Sequence, residues 1–179
     1  MPIAYALGVA RTHLLIALGA LLVVAIGVES ARRWHGRSRA LFTGTVGTLL
    51  REHEHARLSG ATWLFLTLFV AVLVLARPVA IAASWAVTVG DAVAALAGRG
   101  WQSWRGQASL GRKTHVGSAA CLAAVLLGAW RVAHLSLGAS VMGAVLGTLA
   151  ERPNGPGDDN ARVALGTAAG ILLWHMMFS

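Results

Sequence analysis

Apolar residues fall into six long runs that are separated by polar segments. The runs cover residues 8–28, 60–76, 79–98, 116–130, 134–150 and 162–178. Each is close to the roughly 20 apolar residues that a helix needs to cross a bilayer core. Arg77-Pro78 separates the second run from the third, because proline ends or kinks a helix. The pattern predicts an all-α integral membrane protein with about six transmembrane helices in a single bundle.

The runs also indicate how the chain is organised. The fourth and fifth are short, so we expect a tight hairpin that turns at residues 131–133. The first run has a long apolar core and no basic start, which favours a membrane span over a cleaved secretory signal. No shift in composition divides the chain, and we therefore expect one membrane domain over residues 1–179. The polar segments cover residues 29–59, 99–115 and 151–161.

Composition supports the membrane interpretation. Hydrophobic residues make up 56% of the chain and charged residues 12%, whereas soluble domains carry about 25% charged residues. A disordered chain is thereby excluded and a soluble globular protein is not expected. The single cysteine excludes an intrachain disulfide framework and a zinc site built from several cysteines.

The net charge of +8 follows the predicted topology rather than indicating nucleic acid. With six spans, the three polar segments lie on one side of the membrane, and that side carries 12 of the 15 basic residues, 11 in the segments and Arg162 at the start of the last run. The exceptions are Arg11, Arg77 and Arg131. Because cytoplasmic loops are enriched in lysine and arginine, we expect the polar segments to face the cytoplasm in a multi-pass protein of the cell membrane.

Asp91 is the most informative single residue, because it lies inside the third apolar run, in WAVTVGDAVAALAGR. An ionisable side chain within a membrane span is costly and indicates a functional site by default. The alternative is a carboxylate that pairs with a basic residue only for packing. Asp91 and Arg99 are eight residues apart and therefore share a helix face.

The other two candidate segments are polar. Lys113 is the only lysine and lies in SLGRKTHVGS, where glycines flank two cations before a predicted helix start. Such a loop can bind phosphate through backbone N–H groups and the helix dipole, although it is also an ordinary basic flank of a membrane span. The last polar segment contains hard oxygen ligands that suit Mg²⁺, although Asp159 or Asn160 could equally cap the sixth helix. Its acidic residues are Glu151, Asp158 and Asp159.

These segments face the same side in the predicted topology. Acidic ligands beside a cationic, glycine-flanked loop match a Mg²⁺-nucleotide phosphoryl-transfer site, and they also match an ion or proton pathway. Trp101 and Trp104 are interpreted as interfacial anchors, and Cys121 as an inert residue in an apolar span. The GxxxG spacings 143–147 and 166–170 favour helix packing over chemistry.

Taken in order, three segments resemble the membrane-embedded CTP-dependent lipid kinases, which include dolichol kinase, phytol kinase and CTP-dependent diacylglycerol kinase, and which are related to phosphatidate cytidylyltransferase. That family has Gly-Asp-Ala in a membrane helix, then a Gly-Lys-Lys-Ser/Thr-x-Glu-Gly-Ser loop, and later a Glu followed by an Asp-Asn pair. The matching segments are GDAVAALAGR (90–99), GRKTHVGSAA (111–120) and TLAERPNGPGDDN (148–160). REHEHARLSGATWLF (51–65) resembles the family upstream of them.

The resemblance implies a kinase that moves the γ-phosphoryl group of CTP to the hydroxyl of an isoprenoid alcohol or of diacylglycerol. Its catalytic residues would be Asp91, Lys113, Glu151 and Asp159. Its phosphate-binding residues would be Arg112, Lys113, Thr114, Gly117, Ser118 and Asn160. Mg²⁺ would be bound by Asp91, Glu151, Asp158 and Asp159. The second-tier candidates are Arg51, Glu52, Glu54 and Arg99.

Two features separate this chain from the family pattern. Val116 stands where the pattern has Glu, and Arg112 stands where it often has the first Lys. Arginine keeps the charge but not the geometry of lysine. One alternative is synthesis of a CDP-lipid, which expects a longer Ser-x-x-Lys-Arg signature that this sequence lacks. Another is a small transporter or scaffold that uses Asp91 as an intramembrane ion or proton residue.

Overall fold

The computed structural model describes residues 1–34, 59–106, 114–151 and 158–178. Helices contain 88% of these residues, and no strand occurs among them, so the predicted all-α class is confirmed. We number the helices α1 to α7 in chain order. They are Pro2–Ala6, Arg11–Trp34, Gly60–Val74, Arg77–Trp104, His115–Val132, Leu137–Ala150 and Asp159–Phe178.

Four of these helices are long and apolar enough to cross a membrane: α2, α4, α5 and α7. The apolar helices α3 and α6 are shorter, with 15 and 14 residues. At 1.5 Å per residue, each of the two extends about 21–23 Å, less than the bilayer core of about 30 Å. All six predicted runs therefore form helices, and four of them reach the length of a membrane span.

The outer surface of the bundle is largely apolar. Large hydrophobic side chains are exposed along the whole of α2, including Ile16, Val23 and Val24. Further exposed residues of this kind lie on α4, α6 and α7, such as Leu96, Leu137 and Leu165. Soluble monomers rarely expose contiguous apolar patches of this size, and a surface of this kind suits a lipid environment.

Several predicted boundaries are wrong. The helix of the first predicted span is α2, which begins at Arg11 rather than at residue 8, because Gly8 adopts a φ of +105° in the preceding turn. It continues to Trp34, so the segment predicted to be a loop from residue 29 begins inside a helix. The third predicted span does not end at Gly98: α4 continues to Trp104 and stops before Gly106, which has a φ of +65°.

The hairpin between α5 and α6 exists, but its turn covers residues 133–136 instead of 131–133. A π-helical turn at Gly128–Val132 extends α5 and includes Arg131, which the sequence placed in the turn. The Ser136 Oγ then accepts a 3.3 Å hydrogen bond from Ala139 N, which caps α6 one residue before it begins.

The predicted GxxxG spacings are packing motifs, as expected. A methyl group on Gly143 would stand 2.8 Å from Ile171 Cγ1, and one on Gly147 would stand 2.2 Å from Thr167 Oγ1. On the facing helix, a methyl group on Gly170 would stand 2.4 Å from the Met142 carbonyl oxygen. The backbones of α6 and α7 therefore approach too closely for any side chain at these positions.

Three arginines lie together at one end of the bundle, which we call the arginine end. Arg77 Nη2 donates a 2.6 Å hydrogen bond to the Tyr5 carbonyl and stacks on the Tyr5 ring at 5.1 Å. Arg11 donates to the Leu73 carbonyl, close to the end of α3. Arg131 stacks on the Trp130 ring at 4.2 Å. Arginines near helix C-termini satisfy carbonyl groups that the helix leaves unpaired.

Candidate functional site

Part of the predicted site falls outside the described residues. The positions concerned are Arg51, Glu52, Glu54, Arg112 and Lys113. The remaining predicted residues lie on α4, α5, α6 and α7 or directly before them. Their arrangement therefore tests whether the acidic half of the predicted site comes together.

Asp91 directly follows an irregular turn of its helix. Residues Ala86–Gly90 form a π-helical turn, and regular α-helix resumes at Asp91. A π turn contains one residue more than an α turn, so it shifts the faces of the following segment by about a quarter turn. Such turns are frequent at functional sites. The Asp91 side chain is exposed on the bundle surface rather than packed inside it.

The turn before Asp91 is packed against α5 through glycine. A methyl group on Gly90 would stand 2.9 Å from Val125 Cγ2 and 3.5 Å from Cys121 Sγ. In the same contact, the Trp85 indole N–H donates a hydrogen bond to the Ala124 carbonyl oxygen. The distance from Nε1 to this oxygen is 3.0 Å. The position of Asp91 is therefore fixed by contacts between α4 and α5 immediately before it.

Cys121 connects Asp91 to the end of α6. The thiol is 1% exposed, and the Thr148 and Glu151 side chains lie near it. Asp91 is near enough to act on it electrostatically. Cys121 was predicted to be inert because its span is apolar, but two polar side chains from α6 lie beside it. Asp91 and Glu151 thus lie near the same buried residue.

Among the predicted acidic residues that the structure describes, Glu151 is the most buried, with 8% of its surface exposed. It directly follows Ala150, which is the last residue of α6. Its burial follows from the tight pairing of α6 and α7, since a methyl group on Gly166 would stand 2.8 Å from Ala150 Cβ. A buried carboxylate at a helix end is costly unless it is paired or hydrogen-bonded.

Asp158, rather than Asp159 or Asn160, caps the last helix. Asn160 N donates a 2.9 Å hydrogen bond to Asp158 Oδ1, and Arg162 N donates to the Asp158 carbonyl at 3.1 Å. Asp159 instead forms an ion pair with Arg162 one turn along α7. A side-chain cap of this helix was predicted correctly, but the capping residue is Asp158, one residue before the predicted Asp159.

The residues that follow the predicted phosphate-binding loop form the start of α5. Thr114 Oγ1 accepts a 3.0 Å hydrogen bond from Gly117 N and thereby caps the helix. A methyl group on Gly117 would stand 2.9 Å from the Ala94 carbonyl oxygen, and one on Gly98 would stand 3.0 Å from Thr114 Oγ1. Thr114 and Gly117 thus join α5 to α4, and Ser118 lies half-buried one residue further.

The described side-chain carboxylates all lie away from the arginine end. Asp91 is 14 residues beyond Arg77 along α4, or about 21 Å. Glu151 follows the end of α6 that is opposite to the Arg131 hairpin, and the first turn of α7 lies beside it. We call this level the carboxylate layer. Its members are Glu29, Asp91, Glu151, Asp158 and Asp159.

Glu29 is a member that the sequence interpretation missed. Its side chain is 5% exposed, although it was assigned to the beginning of a polar loop. Arg11 and Leu73 are in contact at the arginine end, and Gly19 faces the Phe69 ring, so α2 and α3 run antiparallel. Glu29 therefore lies near the N-terminus of α3. Charged side chains are rarely this buried in a polar loop, but only the structure shows the burial.

The carboxylate layer does not contain a complete metal site by itself. Within the described residues, no group of three His, Cys, Asp or Glu side chains is arranged to hold a metal ion. The four predicted ligands Asp91, Glu151, Asp158 and Asp159 therefore do not converge on one position. Mg²⁺ is commonly bound through one or two carboxylates together with substrate phosphates, and Asp91 with Glu151 could supply that smaller set.

Comparisons with known proteins leave the family open. Searches against protein-family models, curated proteins and solved structures find no significant match to this chain. The likeness to the CTP-dependent lipid kinases therefore depends on the quoted segments alone and stays a prediction.

Proposed function

We propose that this chain is a membrane lipid kinase that transfers the γ-phosphoryl group of a nucleotide, CTP in the family it resembles, to the hydroxyl of a lipid alcohol. An isoprenoid alcohol of the phytol, polyprenol or dolichol type and diacylglycerol are the candidate acceptors. The observation that supports this proposal most is that Gly90, directly before Asp91, packs against Cys121, and that Glu151 at the end of α6 lies near the same thiol. Two separate segments of the family pattern supply these carboxylates.

The proposal includes a topology. Six membrane crossings would place the arginine end outside and the carboxylate layer towards the cytoplasm, as the distribution of basic residues predicts. The contacts of Arg11 and Arg77 support one part of it, because both guanidinium groups bind helix-end carbonyls at the same end. These arginines are therefore explained by local hydrogen bonding and do not argue against the orientation.

In phosphoryl transfer, some of these residues would bind the nucleotide, and others would hold Mg²⁺ and orient the attacking hydroxyl. Arg112 and Lys113 would bind the nucleotide phosphates, next to the capped start of α5 that supplies a positive dipole end. Asp91 and Glu151 would hold Mg²⁺, which neutralises charge on the phosphates when it is bound. An oriented carboxylate can also accept the proton of the attacking hydroxyl, and Asp91 is the exposed member of the pair.

Other predicted residues have structural partners that define narrower roles. Asp159 is ion-paired with Arg162, and Asp158 caps α7. Thr114 and Gly117 are engaged in helix capping and close helix packing. We therefore propose that Asp91 and Glu151 carry the chemistry and that these residues hold the helix starts in place around them.

The alternative of a transporter or scaffold predicts a polar path across the bundle. The described carboxylates lie towards one end, whereas the described residues that are buried between them and the arginine end carry no charge. This distribution favours a reaction at one membrane surface over a pathway that crosses the membrane.

The test is an assay of the purified protein with labelled CTP or ATP and a panel of phytol, geranylgeraniol, undecaprenol, dolichol and diacylglycerol. We expect transfer to at least one acceptor and a loss of at least about 100-fold in Asp91→Asn, consistent with the contribution of a general base. Lys113→Ala should weaken nucleotide binding. Arg131→Ala is the matched control, because it removes a cation at the arginine end and should leave the rate unchanged.

Two results would contradict the proposal. One is the absence of transfer to every acceptor by a protein that is folded and reconstituted in lipid. The other is retention of wild-type nucleotide binding and turnover in both Asp91→Asn and Lys113→Ala.

A further inference from the structure

The last turns of α4 carry an exposed aromatic and cationic surface. The Trp101 and Trp104 rings lie 5.2 Å apart between centroids, and the Arg105 guanidinium stacks over the Trp101 ring at 4.6 Å. We call these three residues the arginine platform. The platform belongs to the part of α4 that continues past Gly98, where the sequence predicted a loop.

The platform is not part of the packed core. Trp104 is 76% exposed, and Arg99 and Arg105 are exposed as well. Contacts between α4 and α5 occur on a different set of residues, among them Ala94 and Gly98. An exposed tryptophan that stacks on a half-buried one, on a helix that has its own packing face, requires an explanation other than folding.

The position of the platform matches a membrane surface. Arg77 and Arg99 enclose 21 residues without a basic side chain, which corresponds to about 32 Å of helix and therefore to the thickness of a bilayer core. If α4 crosses the membrane over this stretch, Trp101, Trp104 and Arg105 lie at the level of the lipid headgroups. Tryptophan is enriched at this level in membrane proteins.

The chemistry of the platform selects an anionic headgroup. Residues 92–106 contain two arginines and no acidic residue. A guanidinium that stacks on an aromatic ring through its face still presents its N–H groups at the edge, where they can donate two parallel hydrogen bonds to a phosphate. Within the described part of the chain, no carboxylate is paired with Arg105.

We infer that the arginine platform binds the headgroup of an anionic phospholipid in the adjacent leaflet. Arg105 contacts the phosphate and is oriented by Trp101. Trp104 packs against the upper part of the acyl chains, and Arg99 adds a second positive charge six residues before Arg105. The site uses none of the residues of the carboxylate layer, and its test changes only Arg105 and Trp101, which are not candidates of the proposed kinase site.

The experiment is a lipid titration of the purified full chain in neutral detergent, followed by native mass spectrometry, with phosphatidylglycerol and phosphatidylcholine of identical acyl chains. We expect the first phosphatidylglycerol to bind about five-fold more tightly than phosphatidylcholine, as one arginine near an anionic surface contributes. Arg105→Gln should remove this preference, and Arg105→Lys should retain part of it. Trp101→Leu should weaken the preference for phosphatidylglycerol, although this change leaves every charge in place.

Arg11→Gln provides the matched control. It removes the same charge from an exposed arginine whose guanidinium already binds the Leu73 carbonyl at the other end, so the lipid preference should persist. The inference is overturned if the wild-type chain does not distinguish the two lipids. It is also overturned if Arg11→Gln and Arg105→Gln lose the preference equally, because net charge alone would then explain the binding. Circular dichroism of each variant identifies any loss of fold.

Discussion

At the scale of single residues, glycine and tryptophan define how α4 and α5 meet. Trp85 lies at the start of one π-helical turn and Gly128 begins the other. A methyl group on Gly128 would stand 2.2 Å from Trp85 Cδ1, so the indole occupies the space that any larger residue would need. The hydrogen bond from Trp85 Nε1 to the Ala124 carbonyl fixes the ring in this position. Both irregular turns are therefore organised around one side chain.

We expect Gly128→Ala to lower the free energy of unfolding by about 1–3 kcal/mol, because the added methyl group overlaps the packed Trp85 ring. Unfolding of the reconstituted protein in increasing SDS measures the effect. Gly100→Ala is the control, since an added methyl group there meets nothing within 4 Å and alanine favours helix by about 0.5–1 kcal/mol. Equal destabilisation by both changes would contradict the role assigned to Trp85.

At the scale of helices, the closest pairing is between α6 and α7. Their glycines at residues 143, 147, 166 and 170 remove side chains from both faces of the contact. Thr167 is fully buried, and its hydroxyl points at Gly147 without a hydrogen-bond partner in the described part of the chain. The pairing matters for the site because it brings Glu151 and the first turn of α7 side by side.

A double-mutant cycle tests this contact. We expect Gly147→Ala to destabilise the fold by about 1–3 kcal/mol, because the methyl group would overlap Thr167 Oγ1. Thr167→Ala should cost less, since the hydroxyl that it removes makes no hydrogen bond. The double variant should recover most of the loss, which gives a coupling energy within the range of about 0.5–3 kcal/mol for residues in contact. Simple additivity in SDS unfolding would contradict the predicted overlap.

At the scale of the whole molecule, the two ends of the bundle differ, because all of the described side-chain carboxylates lie away from the arginine end. The arginine end is closed by α1, whose Tyr5 is buried and holds Arg77. The other end collects the described carboxylates, and α4 and α5 continue beyond that level. The two ends of the bundle can therefore be distinguished, and the distribution of basic residues predicts which end faces the cytoplasm.

The single cysteine makes this orientation measurable. Cys121 is 1% exposed, so the wild-type chain should not react with a membrane-impermeant maleimide. Val9→Cys at the arginine end should react in intact cells, whereas Ser103→Cys near the other end should react only after the membrane is permeabilised. Both positions are exposed in the wild-type structure. The opposite pattern of labelling would invert the proposed topology.

Much of the fold could be predicted from the sequence because hydrophobic length is a local property. All six apolar runs form helices, and the glycine spacings of α6 and α7 pack as predicted. The π-helical turns could not be predicted, since they depend on contacts between Trp85 and Gly128 that lie far apart in sequence. The sequence predicts a helix end at residue 98 because the apolar run stops at Arg99, whereas the helix continues to Trp104.

The candidate site was only partly predictable for the same reason. Asp91 and Glu151 were identified from their chemistry, and the structure brings both to Cys121. Cys121 and Glu29 were not identified, because their polar neighbours and their burial arise from tertiary packing. Asp158 and Thr114 act as helix caps, a role that competes with ligand binding for the same side chains.

The shortness of α3 and α6 has a consequence for the surrounding lipid. Each falls about 8 Å short of a typical hydrocarbon core, although α4 beside them is long enough to cross it. A bilayer responds to such hydrophobic mismatch by thinning locally, at a cost of a fraction of a kcal/mol per Å. Thinning next to α3 and α6 would lower the headgroups on the side of Asp91 and Glu151. We therefore expect the protein to be most stable in membranes of short acyl chains.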